Sequence, residues 1–246
     1  MSRAVLILTT YITNQKQSEL LAASIDSIRA HHPDAAIQIL DDDHSKPECV
    51  AVPLYCKIEK TKHSRCGEVN AYIWAIEHKT EYDIFIYIHD SCKIRSPIPY
   101  LLKGRHFRQF WYTSRCSNND TRGEEIDAFM NIFTVYSQDC KEELELVRDG
   151  KENIIFGAMA AFDGDFLTFV ETQTNFLACA HLLNKRGMRC FFERLLYIIV
   201  MKYTGGREFV KNAYCGDIFK HTDAFNNRSF AIKPNNPYLI KVWQSR

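Results

Sequence analysis

Tyr82-Asp83-Ile84-Phe85-Ile86-Tyr87-Ile88-His89-Asp90-Ser91 is the stretch on which the fold turns. Ile84 to Ile88 is an unbroken apolar and aromatic run, which reads as a central strand covered on both faces. It passes without a spacer into an imidazole, a carboxylate and a hydroxyl at residues 89–91. Upstream, Val69, Tyr72, Ile73 and Ile76 fall at i, i+3, i+4 and i+7, one apolar helix face. Ser64 is the expected N-cap of that helix, and Glu68 suits its positive end.

Further upstream, Ile37-Gln38-Ile39-Leu40 reads as a strand ending in Asp41-Asp42-Asp43. Leu20, Leu21, Ile25 and Ile28 mark a helix that stops near His31-His32-Pro33, because proline disfavours helical geometry in the residue before it. Ala4-Val5-Leu6-Ile7-Leu8 is a first buried strand, ending in Thr9-Thr10-Tyr11. The order β-α-β-loop-α-β predicts an α/β fold with a mostly parallel central sheet flanked by helices.

Downstream of Pro97 and Pro99 the texture changes. Residues 103–125 read as loop-rich, and Ile154 to Phe162 as a strand with small residues that allow close backbone approach. Phe176, Leu177, Ala180 and Leu183 predict one helix. Phe191, Phe192, Leu195, Ile198 and Ile199 predict another, ending at Gly205-Gly206. The last thirty residues read as irregular. With no internal repeat and no linker, residues 1–246 are expected to form a single two-part domain.

Composition narrows the function classes. The 246 residues carry 31 Lys+Arg against 30 Asp+Glu, a formal net charge of +1, which excludes a polyelectrolyte mode of binding nucleic acid. The longest apolar run, Leu195 to Met201, is far short of the roughly 20 residues that span a bilayer. Nine scattered cysteines without a C-x-x-C predict reduced structural thiols and a cytoplasmic setting. Sequons at Asn119 and Asn227 are then chance matches. The phosphate loop, dinucleotide fingerprint, serine-hydrolase elbow and zincin motif are all missing from the sequence.

Ligands of open α/β sheets bind beyond the carboxyl ends of the strands. Three such ends here are rich in hydroxyls and carboxylates, groups that bind a ribose, a base or a hard cation. Ile39 to Ser45 resembles the strand and Asp-Asp-Gly-Ser turn of nucleotide-sugar glycosyltransferases of the GT-A fold, family 2-like. Gly67, Asn70 and Ala75, followed by residues 82–91, resemble their next stretch, where a strand ends in the Asp-x-Asp motif. The resemblance covers roughly residues 4–95.

That resemblance implies a GT-A (Rossmann-like) domain, with residues 1–100 holding the donor and 101–246 shaping the acceptor side. It implies transfer of a sugar from a UDP- or GDP-type donor to a hydroxyl acceptor. Thr9 and Tyr11 would flank the base, and Asp41 or Asp42 would hydrogen-bond base or ribose. Arg65 and Asn70 would approach the nucleotide. His89 and Asp90 would stand at the diphosphate, with Asp90 binding Mn²⁺ or Mg²⁺ and His221 as a late ligand. Glu193 would be the general base for inverting transfer, since desolvation beside aromatic residues raises a carboxyl pKa. The competing reading of Glu193-Arg194 is a salt-bridged pair on a helix surface.

The chain departs from the pattern at His89-Asp90-Ser91, where one carboxylate is lost, and at Asp43-His44, where glycine is usual. Lys62, Arg65 or Lys93 are the basic side chains that would serve a diphosphate in place of a metal. A catalytically silent binding or scaffold protein is the alternative function. A nucleotidylyltransferase fits less well, because Thr9 to Ile12 replaces the glycine- and arginine-rich loop of that class.

Overall fold

The computed structural model describes residues 3–42, 45–46, 52–98, 102, 105–113, 122–133, 142, 144–145, 153–205, 213–218 and 239–241. His221, Asp43 and His44 therefore lie outside the described residues.

The chain enters the core at once. Strand β1 (Ala4–Thr10) leads into helix α1 (Gln15–His31) and strand β2 (Ala36–Asp41). Strand β3 (Lys57–Lys60) precedes helix α2 (Glu68–Glu77) and strand β4 (Ile84–His89). Val5 to Leu8 of β1 and Phe85 to Ile88 of β4 are fully buried, as their apolar runs require. Short strands follow: β5 (Cys92–Ile94), β6 (Phe107–Gln109) and β7 (Tyr112–Thr113). Then come helix α3 (Arg122–Ile132), strands β8 (Ile154–Ile155) and β9 (Ala160–Asp163), and helices α4 (Gly164–Gln173), α5 (Phe176–Cys179) and α6 (Arg186–Thr204). Strand β10 is Leu239–Lys241.

The main sheet has six strands in the order β3-β2-β1-β4-β9-β6. Neighbours from β3 through β4 are parallel, while β9 runs antiparallel to both β4 and β6. Successive strands move outward from β1 to β2 and β3, and the chain then returns to the other side of β1 as β4. The carboxyl ends of β1 and β4 therefore flank a topological switch point, where open sheets bind ligands. A small antiparallel pair, β5 with β10, lies just beyond β4, with Lys241 opposite Cys92.

Local chemistry explains most element ends. Asn14 caps α1 by accepting the Gln17 N–H at 3.1 Å, and Gln17 Oε1 reaches back to the Thr13 N–H at 2.7 Å. Gly205, at φ +65°, closes α6 in the left-handed conformation, its N–H donating to the Met201 carbonyl. The N-cap of α2 is Gly67 rather than Ser64, because a turn at residues 63–67 intervenes. The expected strand from Ile154 to Phe162 is two strands separated by a helical turn at Phe156–Ala158. Gly157 (φ +64°) and Ala158 (φ +53°) reverse the backbone there, and the Tyr72 hydroxyl anchors the turn on the Ala158 carbonyl at 2.7 Å. The helix expected over Phe176 to Leu183 begins as α5 and tightens into a 3₁₀ turn.

Two further features bear on physical state. Among the described residues no helix is long and apolar enough to cross a membrane. The described cysteines, Cys56, Cys66, Cys92, Cys179, Cys190 and Cys215, are free thiols.

His32, at the end of α1, is 2% exposed and accepts the Ile98 N–H at 3.1 Å. Burial, helped by the neighbouring His31, lowers its pKa to about 4. The unfolded chain takes up this proton near pH 6.5 and the folded chain refuses it until about pH 4. Stability contributed here is thus complete above pH 6.5 and is lost as pH falls through that window, by about 3 kcal/mol. Between pH 7.5 and 4.5 the native chain should lose about 3 kcal/mol relative to His32→Gln, a difference that urea unfolding of the two reads free of every other titrating group.

Candidate active site

Thr10 is the joint of the site. Its hydroxyl donates to Asp90 Oδ2 at 3.0 Å, and its carbonyl accepts the Asp42 N–H at 3.0 Å. The ends of β1, β2 and β4 are thereby drawn together, with Tyr11 next in the chain. Thr9, pointing the other way along the pleat, shares a hydrogen bond with the buried Tyr87 hydroxyl at 2.9 Å. Its side chain belongs to the interior.

Asp42 is nearly buried, at 6% exposure, and its Oδ1 accepts Asn70 Nδ2 and Thr61 Oγ1, both at 3.3 Å. Burial raises its pKa, while the charge of Arg189 and the N–H groups of Gly67 and Arg65 pull it down. Arg65 (φ +66°) and Gly67 (φ +49°) turn their amides onto one carboxylate, an anion-binding concavity filled by the protein's own anion. Arg189, on α6, packs so tightly on Gly67 that a Cβ there would sit 3.0 Å from a guanidinium nitrogen. Asp42 and Asn70 thus hold the loop before α2 against α6, and the Arg65 side chain is exposed. Asp41, half-buried at the end of β2, keeps one buried carboxylate oxygen without a hydrogen-bond partner.

At the end of β4 a second network crosses the site. His89 Nε2 lies 2.9 Å from the Gly157 carbonyl, and His89 Nδ1 lies 2.9 Å from Lys241 Nζ. A carbonyl only accepts and an ammonium only donates, so the ring is neutral, with its proton on Nε2. Lys241 also donates to Ser91 Oγ. The Gly157 N–H donates in turn to Glu193, on α6. A Cβ at residue 157 would meet the His89 ring at 2.9 Å, which is why the turn carries glycine.

Glu193 is half-buried, and burial pushes its carboxyl up to about 8. The negative charge of Glu68 adds to the rise, against the Gly157 N–H and the charges of Arg194 and Lys241. Arg194 is not its surface partner: it turns inward and pairs with Glu125 at 3.2 Å. Glu193 is left facing the site.

A divalent cation at Asp90 finds few donors. Asp90 is 2% exposed and engaged by Thr10, both ring nitrogens of His89 are occupied, and Ser91 faces an ammonium. Hard cations take six or more oxygen ligands and are repelled by a neighbouring positive charge. The described residues around Asp90 do not fit such an ion. Among the described residues, His106, Asp163 and Asp165 form the one group with ligand atoms close enough to share a metal. That group lies at the other end of the sheet, where Asp163 pairs with Ile84 at the start of β4. Asp163 there caps α4 by accepting the N–H groups of Asp165 and Phe166.

Arg189, Glu68 and Lys241 were not among the expected site residues, whereas Thr10 and Gly157 stood out only as parts of a polar strand end and a small-residue stretch. Arg189 lies one helical turn before Glu193, a spacing that places both on one face. Lys241 lies in Tyr238-Leu239-Ile240-Lys241, a short strand pattern inside a tail otherwise rich in Asn and Pro. Of the alternative basic residues, Lys62 pairs with Glu77 at 2.5 Å.

A mixed, mostly parallel six-stranded sheet flanked by helices, with polar groups gathered at its switch point, defines an open-sheet α/β protein. Solved structures similar to it are glycosyltransferases of the GT-A fold. Core-mannan synthase A from Aspergillus fumigatus, in a Mn/GDP form, aligns at 9% identity and TM-score 0.44 over 78% of this chain and 66% of that one. The S. cerevisiae mannosyltransferase Ktr4p with GDP aligns at 10% identity and TM-score 0.41, over 77% and 63%. The galactosyltransferase LgtC, with donor and acceptor sugar analogues, aligns at 10% identity and TM-score 0.40, over 78% and 70%. The chain thus spans just under two thirds of the length of the two mannosyl enzymes. No known family profile and no curated protein matches the chain.

Proposed function

We propose that this chain is a glycosyltransferase that moves a sugar from a nucleoside diphosphate donor to a hydroxyl acceptor. The observation that carries the reading is the meeting of Asp42, Thr10 and Asp90 at the switch point between β1 and β4. Asp41, with a buried oxygen lacking a partner, is the acceptor for a ribose or base hydrogen bond beside Tyr11. Asp42 and Asn70 act through the loop they hold, placing Arg65 and Arg189 toward the donor.

Across from the donor, Glu193 takes the proton of the acceptor hydroxyl in an inverting transfer. The acceptor oxygen bonds to the anomeric carbon as the bond to the diphosphate oxygen breaks. The electron pair leaves with the nucleoside diphosphate. A base whose pKa lies near the working pH combines adequate ionisation with a strong pull on the proton.

Thermal unfolding with UDP, GDP and CMP, and donor hydrolysis with the corresponding sugars, test this reading. Binding at 100 to 1,000 times Kd stabilises a folded chain by roughly 3–4 kcal/mol, a shift of several degrees in Tm. Absence of a shift with every nucleotide removes the donor site. The near-complete burial of Asp42 and Asp90 favours one second reading, a silent relative that binds nucleotide as a scaffold. Nucleotide binding with no turnover of any donor sugar is its signature.

A further inference from the structure

The strand end at His89-Asp90-Ser91 has a cation built into the fold. Lys241 is 5% exposed, and its register opposite Cys92 brings its side chain back over the residues just before β5. Its Nζ contacts the residue before Asp90, at His89 Nδ1, and the residue after it, at Ser91 Oγ. The two flanking positions of the acidic motif are therefore joined by one ammonium.

A buried ammonium is costly unless its surroundings are arranged to hold it. Here the arrangement is extensive. The imidazole that accepts from Lys241 is oriented by the Gly157 carbonyl, and that turn is fixed in a conformation glycine alone tolerates without a clash. Ser91 is 2% exposed and supplies a second acceptor. The charge of Lys241 is also felt by Glu193 and by the Cys92 thiol. Four chain segments, β4, β10, the Gly157 turn and α6, thus converge on a positive charge at the point where the donor's diphosphate is placed.

We infer that Lys241 serves as the counter-charge to the donor diphosphate in the place of a divalent metal, and that this chain binds nucleoside diphosphates without one. The inference rests on the donor-site reading above. It assigns Lys241 as a diphosphate-binding residue and His89, Ser91 and Gly157 as the groups that position it. A lysine contributes a point charge to phosphate and needs no coordination shell.

The test uses the intact chain with UDP and GDP, in EDTA and in millimolar Mn²⁺. The expected result is the same Tm shift and the same Kd in both buffers. Lys241→Met should weaken UDP or GDP 10- to 100-fold, the loss of one charge-assisted hydrogen bond, and leave uridine or guanosine binding unchanged. Titration of the unaltered chain with Mn²⁺ alone, followed by electron paramagnetic resonance, gives an answer that does not depend on a variant folding. No micromolar Mn²⁺ site is expected beyond one at His106, Asp163 and Asp165, which Asp165→Asn would remove. Nucleotide binding that disappears in EDTA, a micromolar Mn²⁺ site that survives Asp165→Asn, or unchanged diphosphate affinity in a folded Lys241→Met overturns this inference and leaves the donor site standing. No shift with any nucleotide in either buffer overturns both.

Discussion

Arg194→Ala should lower the free energy of unfolding by about 3–5 kcal/mol, a large share of a typical domain's stability. Arg194 projects from α6 into the interior, and its Nη1 lies 3.2 and 3.3 Å from the two oxygens of Glu125 on α3. The side chains are only 5% and 3% exposed. Truncating the arginine removes the counter-charge it supplies to a carboxylate in a setting that solvates that carboxylate poorly. Replacing both partners at once, as Arg194→Met with Glu125→Leu, removes the charge along with the need for one. That double variant should recover most of the loss. Urea unfolding of Arg194→Met, Glu125→Leu and the double variant in a double-mutant cycle measures the coupling directly. A single-variant loss below about 1 kcal/mol would place the pair with solvent-screened surface bridges and contradict its burial.

Glu193→Gln should act in opposite directions on activity and stability. In the proposed role of general base, Glu193 should account for a factor of about 10²–10⁴ in turnover, which the amide cannot supply. The log kcat of the native chain should rise with unit slope toward about pH 8, and the residual rate of the variant should be flat across the same range. Stability moves the other way. The folded chain holds this proton up to about pH 8, whereas the unfolded chain releases it near 4.5, so folding takes up a proton between those values. Native stability from this group therefore falls as pH rises through the window, and the variant, which has nothing to ionise, escapes the loss. At pH 9 the inactive variant should have the higher Tm. A variant both less active and less stable at pH 9 would mean that Glu193 serves packing rather than chemistry.

The strands that set the topology were readable because each is a saturated apolar run ended by polar residues. Ala4 to Leu8, Ile37 to Leu40 and Ile84 to Ile88 all fall within observed strands. Strand β3 escaped because Lys57-Ile58-Glu59-Lys60 is an exposed edge strand, stabilised by backbone pairing to β2 without an apolar signature. The split of Ile154 to Phe162 was hidden for a different reason. Positive φ at Ala158, a residue that rarely adopts it, is imposed by Tyr72 from another element, and no local propensity announces that.

The candidate site was legible by position more than by partnership. Strand ends told which residues would gather, so Asp42, His89 and Asp90 were found near one another. Their partners come from distant segments: Arg189 lies 147 residues beyond Asp42, and Lys241 lies 152 beyond His89. Periodicity carries no information across such separations. Glu193 was identified through its aromatic neighbours, and Phe192 is indeed buried beside it; the inward turn of Arg194 needed α3, whose position no motif specified.

Residue 157 is gripped on both sides of its Cα, by Glu193 through its N–H and by His89 through its carbonyl. The N–H and the carbonyl of one residue lie on neighbouring peptide planes joined at its Cα, so the two holds meet at the rotations of a single glycine. A methyl group at residue 157, which would strike the His89 ring, should therefore disturb the imidazole and the carboxylate at once.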